Sequence, residues 1–178
     1  MYFELVVRIE PAQTEADFSI ARGLFEEYAA RLGVDLCFQG FSAELRMLDT
    51  MYAPPGGALL LAWIGGAAVG CGGVRKLSES VCEMKRLYVR DEQRGVGIGR
   101  QIAVQLLARA RALGYRRMVL DTLERMSAAR GLYASFGFRE CAPYYDNPLQ
   151  GVVYMELDLS PATAGRTEPR SREAGAER

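Results

Sequence analysis

Apolar residues along this chain recur at two spacings, and the two spacings divide it into elements. From Thr14 to Leu32, the residues Phe18, Ala21, Leu24, Phe25, Tyr28 and Leu32 fall on one face at helical period. Thr14 is placed to cap that helix, with Asp17 at its third position. Gly99 to Leu113 repeats the pattern through Ile102, Ala103, Leu106, Leu107, Ala110 and Leu113, and Ser127 to Phe136 predicts a shorter helix. Phe41 to Met51 reads as a weaker helical segment, preceded by a loop at Cys37 to Gly40 and stopped by Pro54-Pro55-Gly56-Gly57. The remaining apolar runs read as strands. Ala58 to Ile64 and Ala67 to Lys76 are joined by Gly65-Gly66, a connection suited to a tight antiparallel hairpin. Tyr2 to Ile9, Val81 to Val89 and Arg117 to Asp121 are further strands, and Phe138 to Tyr145 with Val152 to Leu159 predicts a closing pair. The order β-α-α-β-β-β-α-β-α-β-β places the chain in the mixed α/β (α+β) class.

Composition narrows the chemistry. In 178 residues, Lys+Arg and Asp+Glu both number 22, so no basic excess exists to hold nucleic acid or anionic lipid. The longest apolar run, around Ala58 to Ile64, is far short of the roughly 20 residues a membrane span needs. A basic region followed by an apolar block is missing at the N-terminus, and the expectation is a cytoplasmic protein without membrane or nucleic-acid partners. Cys37, Cys71, Cys82 and Cys141 form no C-x-x-C pair and are expected as reduced thiols. Histidine is absent, which removes the usual zinc patterns and the Ser-His-Asp and Cys-His mechanisms. No metal is expected, and acid–base work falls to carboxylates, tyrosines, lysines or water. From Ser160 onward no large apolar residue remains, so a single domain over 1–159 and a disordered tail over 160–178 are expected.

The densest motif is Arg94-Gly95-Val96-Gly97-Ile98-Gly99, at the start of the helix that carries Ile102 and Leu106. Small residues let backbone approach a ligand closely, and the helix start directs unpaired N–H groups and its positive dipole end at that ligand. An anion such as a pyrophosphate belongs there; a glycine turn that merely begins a helix is the alternative. The Rossmann fingerprint fails because Arg100 takes the last glycine position and Arg90 to Arg94 separate the turn from the strand. The Walker loop fails because Gly99-Arg100-Gln101 lacks Lys followed by Ser or Thr.

The turn resembles the R/Q-x-x-G-x-G/A motif of the GNAT superfamily of N-acetyltransferases. It follows a strand, Glu83-Met84-Lys85-Arg86-Leu87-Tyr88-Val89, of that family's character, and Leu132-Tyr133-Ala134-Ser135-Phe136-Gly137-Phe138 resembles the family's late L/F-Y-x-x-x-G-F segment. The resemblance covers roughly residues 1 to 159. It implies a GNAT fold, with a central mixed, mostly antiparallel twisted sheet of about seven strands and flanking helices. It also implies acetyl-CoA as acyl donor, with the pyrophosphate on Arg94, Gly95, Val96, Gly97, Ile98, Gly99 and Arg100. Leu87 and Val89 hold the positions whose backbone groups bond the pantetheine arm. Seven residues before Tyr133, where the family often has asparagine, this chain has Met126.

Acetyl transfer needs a neutral amine, and an alkylamine with a reference pKa of ~10.4 is mostly protonated at neutral pH. Glu83 lies eleven positions before Arg94, the register at which histone-acetylating members of the superfamily place a general-base glutamate. Burial or a water relay would fit a glutamate for that task, and a salt bridge to Lys85 or Arg86 is its ordinary alternative. Tyr133 falls where many members place a tyrosine beside the departing sulfur, and core packing beside Phe136 and Phe138 is the alternative there. Asp121 and Thr122 end a strand on the side where open α/β sheets usually bind ligands, and capping the next turn is the ordinary alternative. Phe38, Gln39 and Phe41 in the early loop, and Tyr144, Tyr145 and Asn147 in the late one, fall where this family shapes its acceptor pocket. The expected reaction is direct acetyl or short-acyl transfer, in a ternary complex, to the primary amine of a small molecule or amino acid. A protein or peptide acceptor and a non-catalytic acyl-CoA-binding module are the alternatives, and a homodimer is compatible with either.

Overall fold

The computed structural model describes residues 6–37 and 40–160. Strand β1 (Arg8–Pro11) leads into helix α1 (Glu15–Leu32). Thr14 caps α1 as expected: its hydroxyl accepts from the Asp17 amide at 3.2 Å, and the Asp17 carboxylate accepts from the Thr14 amide at 2.9 Å. Phe18, Ala21, Leu24 and Phe25 are buried on the inner face. The segment expected as one helix over Phe41 to Met51 is two short ones, α2 (Phe41–Arg46) and α3 (Leu48–Met51), broken at Met47. Helices this short hold through packing rather than propensity. Here the packing is polar as well as apolar, because Glu44 of α2 is drawn inward by Arg86 and Tyr52.

Strands β2 (Ala58–Ile64), β3 (Ala67–Lys76) and β4 (Val81–Val89) form an antiparallel meander, with Gly65 and Gly66 at the tip of the first hairpin. Helix α4 (Ile98–Ala112), strand β5 (Arg117–Leu123), helix α5 (Ser127–Ser135), and strands β6 (Arg139–Glu140) and β7 (Val152–Asp158) complete the chain. The sheet runs β1-β2-β3-β4-β5-β7-β6, and β4 with β5 is its parallel pair. Apolar clusters lie on both faces. Ile102, Ala103, Leu106 and Ala110 of α4 pack with Met118, Leu120 and Phe138 on one side, and Phe25, Leu48 and Tyr52 pack with Leu59 and Leu61 on the other. Both layers rest directly on β3. A Cβ at Gly72 would lie 2.9 Å from Ile102 and one at Gly73 2.5 Å from the Tyr52 ring.

Three departures from the expected pattern shape the site. First, the sixth strand is two residues long instead of running from Phe138 to Tyr145. Pro143 has no amide to donate to a ladder, and the chain leaves β7 so that Tyr144 and Tyr145 reach back over the sheet. Second, β4 carries a bulge. Cys71 pairs with Tyr88 and Gly73 with Lys85, so Arg86 and Leu87 oppose Gly72 alone, and Arg86 sits at φ 57°. Third, β4 pairs with β5 only at Val81, Cys82 and Glu83; beyond that point the strands part.

Candidate active site

The gap opened by the parting of β4 and β5 is a groove of about 670 Å³. Leu87, Val89, Arg94, Gly95, Gly97, Ile98, Gly99 and Arg100 all line it, while Val96 stands out at the tip of the turn, 57% exposed. Gly95 and Gly97 adopt φ of 83° and 85°, which a side chain resists, and Gly97 begins α4 with no side-chain cap. The first amides and the dipole of a fifteen-residue helix are therefore presented to the groove. Two arginines of the motif are turned to structural tasks. The Arg94 Nε donates to the Val89 carbonyl at 2.8 Å, with its guanidinium beside Asp91 and against the Tyr88 ring, which pins the turn to the end of β4. Arg100 donates to Ser135 Oγ at 2.8 Å and lies over Phe136, tying α4 to α5. Periodicity did not single out Arg31 and Arg125, which also line the groove; Arg125 donates to the Leu32 carbonyl at 2.6 Å.

At its inner end, the groove shares Tyr28, Leu32, Leu87 and Met126 with a small chamber of about 40 Å³. Tyr133 reaches this chamber from α5, its ring centroid 5.8 Å from that of Phe138. Burial first, then the charges of Tyr28 and Asp121, push its phenol well above the ordinary value, so it remains a proton donor at neutral pH. Met126 also lines the chamber, its sulfur accepting from the Thr122 hydroxyl at 3.8 Å.

Beside the chamber, on the α1 face of the sheet, lies a network of buried charges. Glu83, 1% exposed, is indeed ion-paired, and its principal partner is Arg75, whose Nε lies 2.6 Å from Oε2. The Glu83 Oε1 accepts from the Tyr144 hydroxyl at 2.7 Å and lies 3.5 Å from the Lys85 ammonium. Lys85 also reaches Asp121 Oδ1 at 3.3 Å. Asp121 does not act as a turn cap: its Oδ2 accepts from the Tyr145 hydroxyl at 2.8 Å and from Asn147 at 3.4 Å. Tyr144 and Tyr145 are both held protonated, by burial first and then by the carboxylates they face. A second buried pair adjoins the first. Arg86 grips Glu44 with bonds of 3.1 and 2.6 Å, Tyr52 donates to Glu44 at 2.6 Å, and the Phe41 ring lies 5.1 Å from the guanidinium. Burial alone would raise the Glu44 carboxyl, but the bonds and charge of Arg86, with Tyr52, bring it below the ordinary glutamate value. Phe41 thus packs on this pair, Tyr144, Tyr145 and Asn147 close over Glu83 and Asp121, and Phe38 and Gln39 lie outside the described residues.

Comparisons with known proteins place the chain in a family. The family model for the acetyltransferase (GNAT) family matches residues 22–138. An uncharacterized N-acetyltransferase of Schizosaccharomyces pombe is 40% identical over 156 residues, covering 86% of this chain and 96% of the relative. A Pseudomonas paraeruginosa protein named L-methionine sulfoximine/L-methionine sulfone acetyltransferase is 44% identical over 81 residues, covering 42% of this chain and 46% of that one. In fold, the chain superposes with a TM-score of 0.64 on the Salmonella typhimurium protein yncA, solved with its cofactor acetyl-CoA. That match is at 20% identity and covers 91% of this chain and 99% of the other. The chain belongs to the GNAT acetyltransferase family. It is an acetyl-CoA-dependent N-acetyltransferase. Among the described residues, no helix is long and apolar enough to cross a membrane.

Proposed function

We propose that this enzyme transfers the acetyl group of acetyl-CoA directly to the primary amine of a small molecule or amino acid, with both substrates bound at once in the unit formed by residues 1–159. The observation that carries this reading is the continuity of the groove with the chamber. The groove, with its volume of about 670 Å³ and four arginines along it, suits a large phosphorylated donor, and the chamber receives the donor's reactive end beside Tyr133. Diphosphate binding falls to the amides of 95–100 at the α4 start, and the backbone of Leu87 and Val89 supplies the strand edge along which the donor arm extends. Tyr133 donates a hydrogen bond to the sulfur as negative charge develops there.

On the acceptor side, the loop between β6 and β7 favours a small molecule over a peptide. Tyr144, Tyr145 and Asn147 are bonded down onto Glu83 and Asp121, so the loop is held against the sheet beside the chamber that Asp121 lines. The relative that acts, by its name, on methionine sulfoximine and sulfone supports an amino acid among the acceptors. The chain has no histidine, and the buried network supplies carboxylates for the ammonium proton of the acceptor: Asp121 on the chamber wall and, behind Tyr144, Glu83.

A thiol-release assay with acetyl-CoA and a panel of amines, amino acids and peptides tests the reading. Release well above hydrolysis with small amines and little with peptides is the expected outcome. Faster release with peptides would move the assignment to a protein acceptor, and acetyl-CoA binding without release in any arm would leave a binding module.

A further inference from the structure

We propose that Asp121, rather than Glu83, accepts the proton of the incoming amine, with Glu83 serving to position Tyr144. The inference rests on the transfer reaction proposed above. Both carboxylates belong to the same network, but they stand differently toward the place where the thioester ends. Asp121 lines the chamber together with Tyr133 and Leu87, and its side chain keeps 13% of its surface. Glu83 lines neither the chamber nor the groove, and its side chain keeps 1%. Its oxygens are turned to Arg75 on one side and to Tyr144 and Lys85 on the other. Both carboxylates are engaged, Glu83 by Arg75, Tyr144 and Lys85 and Asp121 by Lys85, Tyr145 and Asn147, but an amine attacking a thioester in the chamber arrives beside Asp121, which lines it.

The groups around Asp121 suit the task. Lys85 faces it from β4 with Glu83 behind, Tyr133 from α5, Tyr28 from α1, and Tyr145 and Asn147 from the late loop, with Tyr144 of that loop and Tyr154 of β7 close enough to interact. Tyr133, which lines the same chamber, serves the sulfur while Asp121 serves the nitrogen. In the step, the acceptor ammonium gives one proton to Asp121 and becomes a neutral amine. Its lone pair forms the N–C bond at the thioester carbonyl, the C–S bond breaks, and the electron pair stays on sulfur under the Tyr133 hydroxyl. The second nitrogen proton passes to that thiolate, giving free CoA thiol, and Asp121 returns its proton to solvent.

The test compares Asp121→Asn, Asp121→Glu and Glu83→Gln with the parent enzyme, using small amines of graded basicity and acetyl-CoA affinity measured by calorimetry. Asp121→Asn is expected to lower kcat about a hundredfold or more for the most basic amine near neutral pH, with acetyl-CoA affinity unchanged. That defect should shrink for weakly basic amines and at higher pH, where the acceptor is already neutral, and Asp121→Glu should recover part of the rate. The Glu83→Gln defect should be smaller and independent of amine basicity, as fits a positioning role. If Asp121→Asn loses acetyl-CoA binding, Asp121→Ser carries the same comparison. Near-parent turnover of the Asp121 variant with a basic amine overturns the assignment, as does a large basicity-dependent loss confined to Glu83→Gln. A parent enzyme that binds acetyl-CoA yet acetylates no amine overturns the underlying reading instead.

Discussion

The two halves of the site are built from different materials. On the side proposed for the donor, the chain offers mainly backbone: amides at an uncapped helix start, glycines whose φ a side chain resists, and a strand edge that leaves its neighbour. The nearby arginines are mostly occupied in holding that backbone in place. On the side proposed for the acceptor, side chains dominate, through buried charges paired across elements far apart in sequence, with Arg86 set at the β4 bulge. A backbone-built site tolerates side-chain change as long as the space stays open. A site built from buried ion pairs fails when one partner is removed, because the other is left charged and unsolvated.

The largest effect expected from that difference is on stability. Glu44→Gln removes the buried carboxylate charge that Arg86 grips through two bonds and should cost about 3–5 kcal/mol, or a fall of roughly ten degrees in Tm. The pH dependence has a definite sign. Because Glu44 lies below its ordinary value in the folded protein, the pair contributes fully above the unfolded-state pKa and is lost as pH falls through the lower folded one. Thermal melts from neutral to acid pH should therefore show the parent losing its advantage over Glu44→Gln as the solution is acidified. Parallel curves would show the pair to be energetically idle.

Next comes the donor side. Gly99 has room for a side chain within the protein, since an added Cβ would meet only Val89 at 3.8 Å, but it lines the groove at the helix start. Gly99→Asp should leave Tm nearly unchanged and weaken acetyl-CoA binding by about a hundredfold, through lost space and a carboxylate in an anion seat. Calorimetry reads this directly, and unchanged affinity would place the donor elsewhere. At the junction of the two halves, Tyr133→Phe should lower kcat by about ten- to a hundredfold with affinity intact. That defect should shrink when the leaving thiol is made more acidic, and raising the pH should not restore it. The smallest effect is expected for Arg94→Ala, a few-fold in acetyl-CoA affinity, because that guanidinium serves Val89 and Asp91. A loss as large as that of Gly99→Asp would break the contrast and give Arg94 a direct part in holding phosphate.

The same contrast explains what could be read from the chain beforehand. The Thr14 cap, the α4 stripe, the Gly65-Gly66 hairpin and the glycine turn are local signals, each complete within a few residues, and all four reappear in the structure. Glu83 and Tyr133 could be named through family resemblance, but not the company they keep. Tyr144 is 61 positions from Glu83 and Arg86 is 42 from Glu44, and no periodicity connects residues so far apart. The late strand was expected to be too long for the same reason. Its apolar and aromatic residues suit a strand, yet Tyr144 and Tyr145 are used to hold buried carboxylates, a demand visible only once the sheet is assembled. The charge at Asp121 was visible, but its partners lie on another strand and a distant loop.

The parting of β4 from β5 also affects how the empty enzyme behaves. A sheet normally has exposed borders only at its two ends, but here the ladder comes undone in the middle, after a three-residue seam. The protein is in effect two antiparallel leaves, β1 to β4 and β5 to β7, stitched at one corner. Backbone groups along the open slit face water until a ligand lies in it, as though a thread had been drawn from a woven cloth. A donor arm laid in the slit would reweave the fabric, and amide hydrogens from Lys85 to Val89 should then exchange more slowly with solvent, while those of the outer strand β1 stay as they were.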